Sequence, residues 1–370
     1  MTKKPPILWL NLAIFISTFA VAVIGVPWYG LQHGFSTASM VIAAVFWLWS
    51  GMSITAGYHR LWSHKAWQAH PSVQWLLAIG GAMAMQNSIL HWCADHRVHH
   101  KHVDDNDKDP YSAGRGFWFS HIGWMLRNYQ PTPDYKNVRD LQKNAIVMNQ
   151  HNHYGWWVLG TNIGAPLLLG ALFGDALGTL LLAGFLRLVV VHHSTFFINS
   201  LAHIWGSQPY SDQHSSRDNG VIALLTYGEG YHNFHHTFEY DYRNGIRWWH
   251  FDPTKWLIRA LEKCGLASSL RRVPAGRIEA ARLSMQLKSS QRLLAEHQLA
   301  AEWLHKLELE YEQLLHKMQG YYDEKQRQLQ LKRAELDRSA RERLAELRDA
   351  FELQQRQWHA LRAQAHAVLN

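Results

Sequence analysis

Thiols are scarce in this chain: Cys93 and Cys264 are the only cysteines among 370 residues. Two cannot build a disulfide framework, a cysteine zinc fold or an iron-sulfur cluster, so any metal must be held by other ligands. Charge is missing over long stretches. From Pro5 to Tyr58 there is no Asp, Glu, Lys or Arg, and between Lys143 and Asp212 only Asp175 and Arg187 occur. Runs of that length exclude a purely soluble chain, although the mean hydropathy of −0.26 would suggest one. The formal net charge is +8, and up to residue 275 there are 21 basic against 15 acidic side chains, compared with 16 and 14 from Gly276 onward. Most of the surplus therefore flanks the apolar runs, where lipid headgroups and membrane orientation account for it; a nucleic-acid partner is not expected.

The first uncharged run is too long for one span and breaks at Pro27 to Gly34, so it reads as two helices, roughly 7–27 and 37–58. The second breaks at Gly174-Asp175 and reads as a second pair, roughly 155–173 and 177–198, with Trp156 and Trp157 at headgroup level. A fifth apolar stretch, Val73 to Leu90, has nearly the length of a span. Histidine-rich boxes lie on both sides of it, however, and one metal centre cannot straddle a bilayer. It is read instead as a helix buried in the protein or lying in the interface.

Two hairpins put both termini and every box on one face. Lys3, Lys4, Arg60, Lys65, Arg97 and Lys101 fall there, while the opposite turns carry no Lys or Arg. That bias predicts a multi-pass inner-membrane protein with its site and termini cytoplasmic. No cleavable signal is evident, since the first apolar run is longer than a signal core and Ile24-Gly-Val-Pro-Trp is a poor cleavage site. The fold class predicted is all-α, with four transmembrane helices and a cytosolic helical cap over residues 1–275. Residues 276–370 contain no proline and one glycine beyond Gly276, Gly320. They are expected to form a long helix whose seam (Leu344, Leu347, Phe351, Gln354, Trp358, Leu361, Ala365, Val368) makes a coiled coil, by self-association or as a hairpin folding near Gly320.

What the sequence has in abundance is histidine, 25 residues, three clusters of which carry chemistry: His59-Arg-Leu-Trp-Ser-His64, His96-Arg-Val-His-His100 and His232-Asn-Phe-His-His236. Neutral imidazole ligates iron, zinc, copper and nickel, so the boxes indicate metal before they indicate which. On a helix, i and i+4 share a face and i+3 diverges. His96 and His100 are thus expected on one ion with His99 on its neighbour; His232 and His236 share an ion, with His235 pointing to the other. The i, i+5 spacing of His59 and His64 does not fit one face of an α-helix and places them across a helix end. His33, His70, His121 and His250 read as ordinary headgroup-level or core residues; His192-His193 is left unassigned.

These boxes, with Asp95 to Lys101, Gly228 to His236, Gly116 to Trp124, Asn199 to His203, Pro209-Tyr210 and Tyr240 to Arg243, resemble the membrane-bound fatty-acyl desaturases of the stearoyl-CoA desaturase type over roughly residues 7–265. The resemblance implies a di-iron centre. His59, His64, His96, His100 and His235 would hold one iron, and His99, His203, His232 and His236 the other, with Asn199 acting through water. It further implies O2 as co-substrate and a cis double bond, of Δ9 type, placed in a saturated acyl chain. Trp92 and Thr195 would line the kink of the substrate channel, and Asp95 and Phe196 match further substrate positions. Ala94 replaces an arginine of the animal coenzyme A site, Phe196 a tryptophan, and Arg127-Asn128-Tyr129 a basic pair. Acyl-CoA is the substrate implied, with phospholipid-bound or carrier-protein-bound chains as alternatives. His70-Pro71 continues as Ser-Val, so no HPGG haem motif occurs, and electrons are expected from a separate ferredoxin- or cytochrome-type donor with its reductase. Membrane hydroxylases use similar boxes, but Gly228 to His236 and Asn199 to His203 speak for desaturation. A histidine-rich metal sensor or transporter is the non-enzymatic alternative.

Overall fold

The computed structural model describes residues 4–130, 133–295, 300–330 and 338–367. Lys3 and Val368, used above for orientation and for the seam, lie outside them. The chain divides into two compact units, one of residues up to 207 together with 213–272, the other of 208–212 together with 273 onward.

Among the described residues of the first unit four helices are long and apolar enough to cross a membrane: α1 Trp9–His33, α2 Thr37–Ser63, α7 Tyr154–Leu172 and α8 Ala176–His203. Between them lie α3 Pro71–Met83, α4 Ile89–His102, α5 Phe117–His121 and α6 Ala145–Asn152. After α8 come α9 Gly220–Leu225, α10 His232–Thr237 and α11 Pro253–Lys263. Strands β1 Gln68–Ala69 and β2 Ala267–Ser268 pair antiparallel. Several helices start where the sequence offers a cap. Ser36, Ser88, Asn144, Asp175, Asn219 and Asp252 each accept a backbone N–H at the head of α2, α4, α6, α8, α9 and α11.

Three of the four spans, α1, α2 and α8, are longer than expected from the sequence. α1 continues through Pro27 to His33 because the turn before it, Val21–Gly25, is π-helical. A wider turn makes room for the proline ring against the preceding carbonyls. The helix stops at Gly34, whose φ of 69° only glycine adopts freely. α2 runs on to Ser63, its last eleven residues π-helical. It packs tightly on α3, where a Cβ at Gly81 would run into the Tyr58 ring. At the far end of the hairpins Asp175 accepts from Tyr29 and Ser39, each at 2.8 Å, and ties the two turns together.

Val73 to Leu90 is no span. α3 buries Leu77, Ala78 and Gly80 to Met83 and then reverses into α4 through Met85 and Asn87, both with positive φ. This reversal explains Arg187, the charged residue inside α8. A helix end buried in the protein leaves carbonyls without partners. Arg187 donates to Met83 O (2.5 Å), to Ala183 O and to Asn162 Oδ1, while His192 approaches Ala84 O at 2.9 Å. A guanidinium at the negative end of α3 also suits the helix dipole.

Among its described residues the second unit has three helices, α12 Ala275–Leu294, α13 Ala300–Gln330 and α14 Arg338–Ala367. This corrects the expectation of one long helix or a hairpin at Gly320, which lies well inside α13. A single helix would leave its apolar stripe in water; folding back buries it. Leu283, Leu294, Leu307, Leu314, Met318, Phe351, Trp358 and Ala365 form the shared core. The seam read from Phe351, Trp358 and Ala365 thus faces the chain's own neighbouring helices.

Candidate metal centre

Four elements of the first unit deliver nine histidines to one place. The π-helical end of α2 carries His59 with His64 as its cap, α4 carries His96, His99 and His100, His203 ends α8, and α10 carries His232, His235 and His236. Their donor nitrogens form two groups, each within 4.8 Å. His59, His64, His96, His100 and His235 make one, and His99, His203, His232 and His236 the other. Each HxxHH box sends two histidines to one group and the third to its neighbour, as i+4 and i+3 directions on a helix require. His59 and His64 do sit at a helix end. What aligns them, however, is the π-ladder, in which the His64 N–H donates to His59 O (3.0 Å) and stacks residues five apart.

All the close approaches between rings run through Nε2. His59 and His235 are 2.9 Å apart, His64 and His96 2.9 Å, His235 and His100 3.0 Å. In the other group His203 and His232 are 3.1 Å apart, His232 and His236 3.0 Å, and His99 and His236 3.4 Å. In five of the nine the opposite nitrogen faces a polar oxygen. His59 Nδ1 is 2.9 Å from Glu229 and His99 Nδ1 2.8 Å from Asp109. His96 Nδ1 lies 3.1 Å from the Tyr111 hydroxyl, and His203 Nδ1 2.8 Å from Ser215, which donates to Asp104. His100 Nδ1 is 3.2 Å from Glu239.

A carboxylate at Nδ1 holds the proton there and leaves Nε2 with its lone pair. Lone pairs crowded at about 3 Å repel unless a cation lies between them. Protonation does not relieve this, because the cage disfavours imidazolium. Burial first, and neighbouring imidazoles second, push His64, His96, His232, His235 and His236 well below the ordinary value, and burial brings His100 to about 4 against the opposing hydrogen bond to Glu239. Glu229 stays ionised: its burial opposes charge, but His59 and Arg60 hold it at about 2. Neutral imidazoles on ionised carboxylates are a metal-ligating donor set, and the residues present fit two transition-metal ions.

The remaining expected residues lie on α4 and α8, two of the helices that carry the histidines. Asn199 lies four residues before His203 at the end of α8. Trp92 stacks on the His96 ring at 4.7 Å, and Thr195 Oγ1 accepts from Gln86 at 2.9 Å. Phe196 is buried against Phe15 and His192. Asp95 faces His91 at 3.4 Å on the rim. Among the histidines set aside, His121 approaches His193 at 3.0 Å outside both groups, and His70 caps α3.

Asp109, Glu229, Glu239, Tyr111, Ser215 and Asp104 escaped the sequence reading. A signal existed for two kinds of them: an acidic loop directly follows the second box, and Glu229 stands three residues before the third. Neither spacing says which imidazole a carboxylate will meet.

With the geometry in place, similarities to known proteins bear on it. Residues 33–268 match the family model described as fatty acid desaturase. The chain is 43% identical over 273 residues to a probable acyl-CoA desaturase of Schizosaccharomyces pombe, covering 73% of this chain and 56% of that protein. It is 40% identical over 290 residues to acyl-CoA desaturase 1 of Saccharomyces cerevisiae, covering 76% and 55%. To the sn-2 palmitoyl-lipid 9-desaturase of Nostoc sp. it is 35% identical over 272 residues, covering 72% and 92%. The chain thus spans little more than half the length of the two fungal relatives.

Proposed function

The chain belongs to the fatty acid desaturase family, and from that premise we propose that it is an oxygen-dependent membrane oxidoreductase that introduces a cis double bond, of Δ9 type, into a saturated fatty acyl chain. The observation that carries the proposal is the pair of histidine groups, five and four, whose Nε2 atoms converge within a four-span helical unit. Bound there, two iron ions would supply the reduction of O2 that removes two hydrogens from adjacent methylenes.

The protein's own contribution is position and exclusion. His59, His64, His96, His100 and His235 would hold one iron, and His99, His203, His232 and His236, with Asn199 through water, the other. Glu229 and Asp109 keep the Nδ1 protons of His59 and His99 fixed. Trp92, stacked on His96, is proposed with Thr195 and Phe196 to line the path of the acyl chain. The buried histidines keep bulk water from the reacting carbons.

Acyl-CoA is the substrate we propose. A phospholipid-bound chain is the second reading, favoured by one observation: Asp95, bordered by Ala94, faces His91 rather than an arginine. We further place the site and both termini on the cytoplasmic face of the inner membrane, supplied by a separate electron donor. The three-helix unit is offered as the part that would mediate any self-association. Purified iron-loaded protein given stearoyl-CoA, a reduced ferredoxin with its reductase, and O2 should yield a cis-monounsaturated product without added oxygen. A product carrying label from labelled O2 would indicate hydroxylation instead.

A further inference from the structure

The carboxylates behind the histidines differ in one respect. Glu229 and Asp109 are shut away, with side chains 2% and 1% exposed, whereas Glu239 is 55% exposed. Its Oε2 atom lies 3.2 Å from His100 Nδ1 and 3.9 Å from His64 Nδ1. Both histidines belong to the group of five, one from α4 and one from the end of α2. Glu239 itself stands just beyond α10, which supplies a third member, His235. A single carboxylate oxygen therefore faces two imidazoles of one group and joins the three elements that build it.

This placement is built into the fold. On one side Phe238 is buried, and its N–H donates to Phe234 O at 2.9 Å. On the other the Asp241 N–H donates to Phe238 O at 3.0 Å, and the buried Asp241 carboxylate accepts from Arg243. With the backbone held at both ends, the short glutamate side chain reaches from the surface to the cage.

We infer that Glu239 is a positioning residue for the five-histidine site alone, keeping the Nδ1 proton on His100 so that its Nε2 lone pair faces the metal, with its negative charge also turned toward His64. The inference rests on the reading that the nine histidines hold two metal ions. Outer carboxylates of this kind typically contribute about 10- to 100-fold in metal affinity. A mere surface ion pair contributes little to stability and would not act on one metal site in preference to its neighbour.

The test is anaerobic titration of iron(II), enriched in the Mössbauer-active isotope, into the metal-free full-length protein, its Glu239→Ala variant and its Glu239→Gln variant. The unmutated protein should show two quadrupole doublets of equal area. In Glu239→Ala one site should weaken about 10- to 100-fold, leaving the other doublet in place. Glu239→Gln, which keeps an oxygen acceptor, should recover most of that loss. Unchanged binding in Glu239→Ala, equal weakening of both sites, or a glutamine variant no better than alanine would each overturn the inference. Unmutated protein that binds no iron would overturn the underlying metal reading as well.

Discussion

The Nδ1 atom of His59 lies 2.9 Å from one oxygen of Glu229, and the other oxygen of that carboxylate accepts from Arg60 at 2.8 Å. Arg60 also donates to Asp252 at 3.2 Å. Adjacent residues of one histidine box thus share a buried anion, and the arginine keeps that anion charged behind the imidazole.

Replacing Glu229 with Gln should therefore act twice. Removing one partner of a buried ion pair costs about 3–5 kcal/mol, and loss of the outer carboxylate should weaken iron binding by about 10- to 100-fold. Thermal unfolding of the metal-free protein and iron content after chelator challenge read the two effects separately.

Arg187→Met should destabilise the first unit without touching a histidine of either group. It leaves Met83 O and Asn162 Oδ1 without their donor, at about 1–3 kcal/mol for each buried group. A lowered melting temperature is expected. Iron bound per folded molecule should stay near that of the unmutated protein.

Acid should loosen the metal-free protein in a defined window. His121 is held at about 4, by burial and then by His193, and His100 at about 4 by burial, against an ordinary 6.5. Between those values the unfolded chain binds protons that the folded chain refuses, so stability falls as pH drops from 6.5 and this contribution levels off below about 4. Asp140 adds a lower step. Burial opposes its charge, but Arg97 and Lys65 hold it at about 2, so its stabilisation is lost between 3.8 and about 2. Unfolding curves in detergent across pH 2 to 8 measure this, and bound iron should shift the upper step to lower pH.

In the C-terminal unit, Trp358 is fully buried and donates to Gln286 at 2.8 Å. Trp358→Ala should cost that unit about 3–5 kcal/mol. Limited proteolysis should then cut within 273–367 while the first unit stays intact.

Much of this was legible before any coordinates. Missing charge delimited the four spans, because a charged side chain inside a bilayer is costly. Helical spacing split His96 and His100 from His99, and His232 and His236 from His235, as the fold does, while the matching of one box to the other came from the resemblance. Other features were not. His59 and His64 align on a π-ladder that the spacing of an α-helix could not suggest. Asp109 and Glu229 meet His99 and His59 from loops 10 and 170 residues away, so only the tertiary fold pairs them. Arg187 looked like an isolated cation because its partners are the Met83 and Ala183 carbonyls and the distant Asn162 amide, a set that leaves no trace in sequence. The tail's freedom from proline suggested a single helix. Its apolar stripes decided for three.

The central claim is best tested by fatty-acid analysis, with double-bond localisation by mass spectrometry, of a desaturase-deficient host expressing this chain or its His99→Ala variant. New cis-monounsaturated acids from the unmutated chain alone are the predicted result, with both proteins present at equal level in the membrane. Equal amounts from the variant would contradict the role given to His99. No new product from the unmutated chain, with iron bound and an electron donor supplied, would contradict desaturation itself.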